Sequence, residues 1–127
     1  MKDEIFKMTQ SVKLLRVSPD LNAEKFEAVS EDRVITGAPT ERLNNVFTNT
    51  KENFFCGVWE STTGKWNLNY TEDEFCYLIE GKAILTDSEG HSEELNPGDG
   101  FVIPAGYKGT WETIGSAKKF YSIYEQA

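Results

Sequence analysis

The chain has 127 residues, 39% hydrophobic and 13% aromatic, enough for the core of one domain and too few for two. Its formal net charge is −8, and no lysine or arginine cluster is present to neutralise phosphates, which sets nucleic-acid binding aside. No apolar run approaches the roughly eighteen residues that cross a bilayer, and Met1 to Lys7 contain no apolar leader core, so a cytoplasmic chain with no membrane partner is expected.

Residues 1–32 are mixed and polar, with Ser18-Pro19-Asp20 and Ser30-Glu31-Asp32 as turn or cap signals around short apolar pieces such as Val12 to Val17. They read as an N-terminal arm. From Arg33 onward, residues 33–127 form one domain in which strand-like runs alternate with turn chemistry and no long 3.6-residue periodicity occurs. Strands are predicted near 33–36, 44–48, 54–60, 65–70, 74–80, 82–87, 92–95, 101–103, 108–113 and 118–125. The breaks between them include Thr62-Thr63-Gly64, Thr71-Glu72-Asp73, Ser88-Glu89-Gly90, Asn96 to Gly100, Pro104-Ala105-Gly106 and Ile114-Gly115-Ser116. Short strands at this spacing, rich in aromatic residues, indicate an all-β sandwich or barrel.

Alternation in Trp66-Asn67-Leu68-Asn69-Tyr70 puts Trp66, Leu68 and Tyr70 on one face, the predicted interior, and both asparagines on the other. In the next strand Glu74 shares a face with Cys76 and Leu78, while Phe75, Tyr77 and Ile79 share the opposite one. Both faces are apolar apart from Glu74, which predicts a strand covered on both sides and leaves one carboxylate to be explained. Cys56 and Cys76 form no CxxC pair, and each lies in an apolar run, so they read as buried free thiols.

Two stretches resemble the cupin signature: Gly64 through Gly81, with Glu74 seven residues before Gly81, and Pro97 through Gly106, with Gly98, Pro104 and Gly106 at the pattern's spacing. More narrowly, Gly57-Val58-Trp59-Glu60, Tyr70, Glu74 to Tyr77, Glu80-Gly81 and Pro104 through Glu112 look like cupins related to (S)-ureidoglycine aminohydrolase. The resemblance implies a double-stranded β-helix, a jelly-roll-like barrel, commonly dimeric. In metal-binding members the first motif supplies two histidines and a glutamate and the second a further histidine. Here those positions carry Leu68 and Tyr70 (or Asn67 and Asn69 if the loop is one residue longer), Glu74 and Gly109. One carboxylate without imidazole or thiolate partners makes no transition-metal site, so no metal and no cofactor are expected. His91, the only histidine, follows a hairpin tip and reads as a surface residue.

The candidate site therefore gathers on Tyr70 and Glu74, which flank the turn at 71–73 and would meet at the barrel mouth. Trp59, Trp66 and Trp111 supply aromatic wall, and Lys108 is a cation that could meet an anionic ligand. Burial would disfavour a charged Glu74 unless Tyr70, Lys108 or Trp111 compensates it. The leading expectation is a metal-free protein that binds a small carboxylate, ureide or amide. The alternatives are a metal-independent acid/base hydrolase or isomerase, with Glu74 as proton carrier and Tyr70 steadying charge, and a structural or regulatory dimer with a vestigial pocket. A homodimer is expected, because the arm has strand-forming pieces and too few partners of its own.

Overall fold

In the computed structural model, which describes residues 12–20 and 25–126, the chain is all antiparallel β-structure. The strands are β1 (Glu27–Ala28), β2 (Val34–Thr36), β3 (Thr40–Thr48), β4 (Phe54–Asn69), β5 (Asp73–Asp87), β6 (Ser92–Leu95), β7 (Gly100–Ile103) and β8 (Lys108–Tyr124). Three of them, β4, β5 and β8, run 15 to 17 residues, about three times an ordinary strand. Each is long because it bends midway and serves two sheets. The first halves of β4 and β5 and the second half of β8 join β3 and β7 in one sheet, in the order β1-β3-β4-β8-β5-β7. The remaining halves join β2 and β6 in the other, in the order β2-β4-β8-β5-β6. This is the double-stranded β-helix.

The bends follow a line of glycines. Register shifts fall between Thr62 and Gly64 on β4 and between Gly81 and Ala83 on β5, and Gly115 marks the same level of β8. Gly81 has φ +84°, and a Cβ there would run into the Ser116 carbonyl, so no other residue fits the crossing. The sequence expectation of separate strands ending at 62–64, 80–82 and 114–116 is thus corrected. These positions are bulges within continuous strands, because a glycine that redirects a strand has the same local chemistry as one that ends it.

Between the sheets lies a core of Trp66, Cys76, Leu78, Ala83, Leu85, Ile103, Trp111 and Ala117, joined by Val29. The end of the expected arm therefore packs on the barrel: β1 pairs with β3, and Val29 donates its N–H to the Pro39 carbonyl. The residues of the arm at 1–11 and 21–24 lie outside the described part. On β5 the alternation holds, with Glu74, Cys76 and Leu78 buried. The expectation that both faces of this strand are covered is corrected, since Phe75 and Tyr77 are exposed.

Candidate functional site

Between the two sheets opens a cavity of about 280 Å³. Trp59 enters it from the first sheet and Trp66 and Trp111 from the second. The Trp59 ring lies edge-on to Trp111 at 5.1 Å, and Trp66 stacks with Trp111 at 6.4 Å. Leu43, Leu68, Tyr70, Tyr121 and Ile123 complete most of the apolar lining, with Arg33, Glu41, Asn69 and Glu72 among its polar members. The strand parity read from the sequence put Leu68 and Tyr70 on this side, and they are here.

Tyr70 is held by the turn of the second motif: its N–H donates to the Tyr107 carbonyl at 2.9 Å, and its own carbonyl accepts from Gly106 N–H at 2.8 Å. Asp73, the first residue of β5, accepts the Ala105 N–H at 2.8 Å. The 104–107 turn thereby fixes where β4 hands over to β5 and sets Tyr70 beside Glu74.

Glu74, 4% exposed, meets a partner absent from the sequence expectation: Lys119 Nζ lies 3.0 Å from its Oε2, itself only 4% exposed. The ammonium also donates to Cys76 Sγ at 3.4 Å and sits over the rings of Trp59 at 4.9 Å and Trp111 at 4.7 Å. Tyr70 and Cys76 flank the carboxylate and, with Lys119, favour its charged form. Among the described residues no buried side-chain polar atom is left without a partner. At the rim, Trp59 Nε1 donates to Glu41 Oε1 at 3.0 Å, and Glu41 also faces Arg33 at 3.7 Å.

Burial, the largest influence on Glu74, raises its pKa, but the Lys119 ammonium, with the neighbouring Tyr70 and Cys76, outweighs it and holds the carboxyl below the usual range. Burial likewise works against the Lys119 charge, and the acidic groups around it, Cys76, Tyr70 and Glu74, reverse that and hold it above an ordinary lysine. At neutral pH Glu74 is the one of the three that is ionised. Burial pushes the Cys76 thiol up to about 12 and raises Tyr70 as well, so neither is an anion near neutrality. The site is an ion pair clamped between indoles, with a neutral thiol and a neutral phenol at its edge.

Five of the six sequence-derived site residues, Trp59, Trp66, Tyr70, Glu74 and Trp111, line this one cavity. Lys108 does not: it is exposed at the start of β8, opposite Asn69. Lys119 takes the compensating role assigned to it. A signal for Lys119 existed, since a buried carboxylate requires a cation and Ala117, Lys119, Tyr121 and Ile123 share one face of β8. The opposite face, Lys118, Phe120, Ser122 and Tyr124, is no more polar, so alternation alone did not say which lysine turns inward. Cys76 is buried as expected, whereas Cys56 is half-buried and contacts Ser122 at 3.4 Å.

The donors present do not suit a transition metal. Leu68 and Tyr70 stand where two ligands would be needed, and a Cβ at Gly109 would point into the Thr86 carbonyl rather than into the cavity. The one carboxylate is already bound by an ammonium. Among the described residues no group of three or more His, Cys, Asp or Glu side chains is arranged to hold a metal ion. His91 is exposed at its hairpin, 3.3 Å from Asp87.

The model of the EutQ-like cupin domain matches residues 48–121, more than half of the chain. Among solved structures, a protein of unknown function from Pseudomonas syringae pv. tomato, of the DUF861 family, superposes with a TM-score of 0.75 at 28% identity, covering 84% of this chain and 46% of that one. The Clostridium difficile EutQ protein matches with a TM-score of 0.60 at 22% identity over 68% of this chain and 63% of its own. A putative ethanolamine utilization protein from Salmonella typhimurium matches at 0.62 and 15% identity, over 82% and 97%. The chain thus spans about half of the Pseudomonas protein and under two thirds of the Clostridium one. No curated protein matches it.

Proposed function

The chain belongs to the EutQ-like cupin domain family, and from that premise we propose that it is a metal-free receptor for a small molecule held between its tryptophans. The observation that carries this reading is the Glu74–Lys119 pair at 3.0 Å, buried inside an aromatic-walled cavity of about 280 Å³. Such a volume lies at the lower end of ligand pockets and admits a molecule smaller than an ordinary drug. Both cations of the lining already have carboxylate partners, Lys119 with Glu74 and Arg33 with Glu41. A ligand carboxylate must compete with those pairs, whereas an amide, ureide or amine need not. Glu72, which lines the cavity with Glu125 close by, adds negative charge there and further favours a donor-rich ligand. Ureides remain in the candidate class through the likeness of residues 57–60, 74–77 and 104–112 to (S)-ureidoglycine aminohydrolase-related cupins.

The alternative of an acid/base enzyme with Glu74 as proton carrier is weakened by the same pair. A carboxylate fixed by a buried ammonium, with its pKa lowered, is a poor acid and a poor base near neutrality. We assign it instead the role of a fixed charge that anchors Lys119 and orients Tyr70.

The test is a thermal-shift panel of small amides, ureides, amines and carboxylates against the wild type and Leu68→Phe, which fills the cavity without touching the ion pair. A native-state ligand must raise the melting temperature. Amide, ureide or amine hits that stabilise the wild type and not the filled variant support the reading. Hits that act equally on both proteins, or a panel in which only carboxylates bind, would reject it.

A further inference from the structure

A second cavity, of about 550 Å³, shares no lining residue with the one between the tryptophans. Phe101 forms part of its wall and packs on Trp111 of the first cavity at 6.3 Å, so these two rings stand between the cavities. The cavity exists because the barrel is not closed on this side. β6 is the last strand of the second sheet and β7 the last of the first, and among the described residues each pairs with β5 alone. The 96–99 turn joins the two edges. Leu78 fastens that turn, donating its N–H to the Asp99 carbonyl at 3.0 Å and accepting the Gly98 N–H at 2.9 Å. The floor is apolar: Leu85, Leu95 and Ile103 of the core, with Phe101 and Tyr107 half-buried beside them.

The polar lining is of one sign, with Asp87, Glu93, Glu94 and Asp99 present and no lysine or arginine. Three of these carboxylates have partners. Asp87 accepts the Glu89 and His91 N–H groups at 2.9 Å and lies 3.3 Å from His91 Nδ1, Asp99 accepts the Asn96 N–H at 2.8 Å, and Glu94 faces Lys82 at 3.6 Å. Glu93 has no hydrogen bond or ion pair among the described residues. Register sets it opposite Leu85, as it sets Leu95 opposite Ala83, so its side chain leaves β6 on the cavity side. An inward charge on an edge strand also discourages unwanted pairing, so Glu93 by itself is no site. The apolar cavity beneath it is what calls for an occupant.

We propose that the cleft between β6 and β7 is a second binding site, for a small hydrophobic cation whose apolar body lies on the Leu85, Leu95, Phe101, Ile103 and Tyr107 floor and whose protonated amine meets Glu93. The volume falls within the ~300–1,000 Å³ of small-molecule pockets. The floor supplies the burial and the rim selects the charge. An anion would face four carboxylates and find no lysine or arginine, whereas a cation gains from the whole rim and from the formal charge of −8 on the chain. The walls are fixed before binding, since the Asp87 bonds hold the hairpin at 87–91 and Asp99 and Leu78 hold the 96–99 turn, so little ordering is needed on binding.

The test is an NMR titration of the methyl-labelled full chain with three probes that share a phenyl group and differ in charge: phenethylamine, phenethyl alcohol and hydrocinnamate. The amine should shift the Leu85, Leu95 and Ile103 methyl signals with a Kd of about 1 mM or below. It should bind ~5-fold more tightly than the alcohol, with the advantage shrinking as salt is added, and hydrocinnamate should not bind there. Glu93→Gln, a change at an exposed position, should remove most of the amine's advantage and leave the alcohol unaffected. No response at Leu85 and Leu95 up to about 10 mM amine overturns the proposal and leaves Glu93 as edge protection. Alcohol binding as tight as the amine's, or amine binding undiminished in Glu93→Gln, overturns it as well. Shifts confined to Leu43 and Ile123, which line the tryptophan cavity, would put the amine in that cavity, rejecting the second site while supporting the proposed receptor function.

Discussion

Replacing Lys119 by methionine removes the cation and keeps most of the side-chain volume. Two unit charges 3.0 Å apart attract by about 5 kcal/mol at an effective dielectric constant of ~20, and breaking a buried pair from one side typically costs about 3–5 kcal/mol. Lys119→Met should therefore lose 3–5 kcal/mol at pH 7, a large part of the ~5–15 kcal/mol that holds a domain together. Glu74→Leu should lose a comparable amount. The double variant Glu74→Leu/Lys119→Met should recover most of the loss, because it leaves no buried charge unpaired. The pH dependence should change sign. In the wild type the Glu74 pKa is depressed below 4.5, so its contribution is complete above that pH and disappears as acid protonates the folded state. In Lys119→Met only burial acts strongly on Glu74, its pKa rises above 4.5, and lowering the pH from 8 to 5 should stabilise the variant relative to the wild type. Urea unfolding across that range measures both effects. A loss under about 1 kcal/mol, or a difference curve that falls with acid, would refute the electrostatic account of the site.

Cys76 gives an alkaline counterpart. Its thiol pKa is raised from 9.0 to about 12, so between pH 9 and 10, before the raised Tyr70 and Tyr121 phenols and Lys119 add losses of their own, stability should fall by about 1.4 kcal/mol per pH unit, and Cys76→Ala should lack that component. At pH 8 a thiol reagent should label Cys56 in the native protein and reach Cys76 only on unfolding. Elemental analysis of untagged protein should find well under one transition metal per chain, and about one equivalent of zinc, iron, nickel or manganese lost in Glu74→Ala would contradict the reading of the donor set. Gly81→Ala should cost roughly 2–4 kcal/mol in thermal melts, since it adds a Cβ both to a left-handed backbone and against the Ser116 carbonyl.

The sequence by itself determined the all-β class, the barrel signature, the inward parity of Trp66, Leu68, Tyr70 and Glu74, and the absence of a histidine ligand set. Those follow from period-two alternation and from residue types, which are local properties. It also posed the right question at Glu74, a lone carboxylate on an apolar face. The answer lies 45 positions away at Lys119, on a strand paired with the one that carries Glu74, and only the tertiary structure decided it. Pairing of β5 with β8 brings the two together, and alternation cannot rank Lys118, Lys119 and Lys108 when both faces of β8 carry apolar residues. The bends at Gly64, Gly81 and Gly115 were undecidable for a related reason. Whether a glycine ends a strand or redirects it depends on whether the neighbouring strands continue past it, and that is a property of the sheet. The exposure of Phe75 and Tyr77 has the same origin, since an apolar side chain records a preference for burial, and the fold decides which faces of a strand find something to cover them.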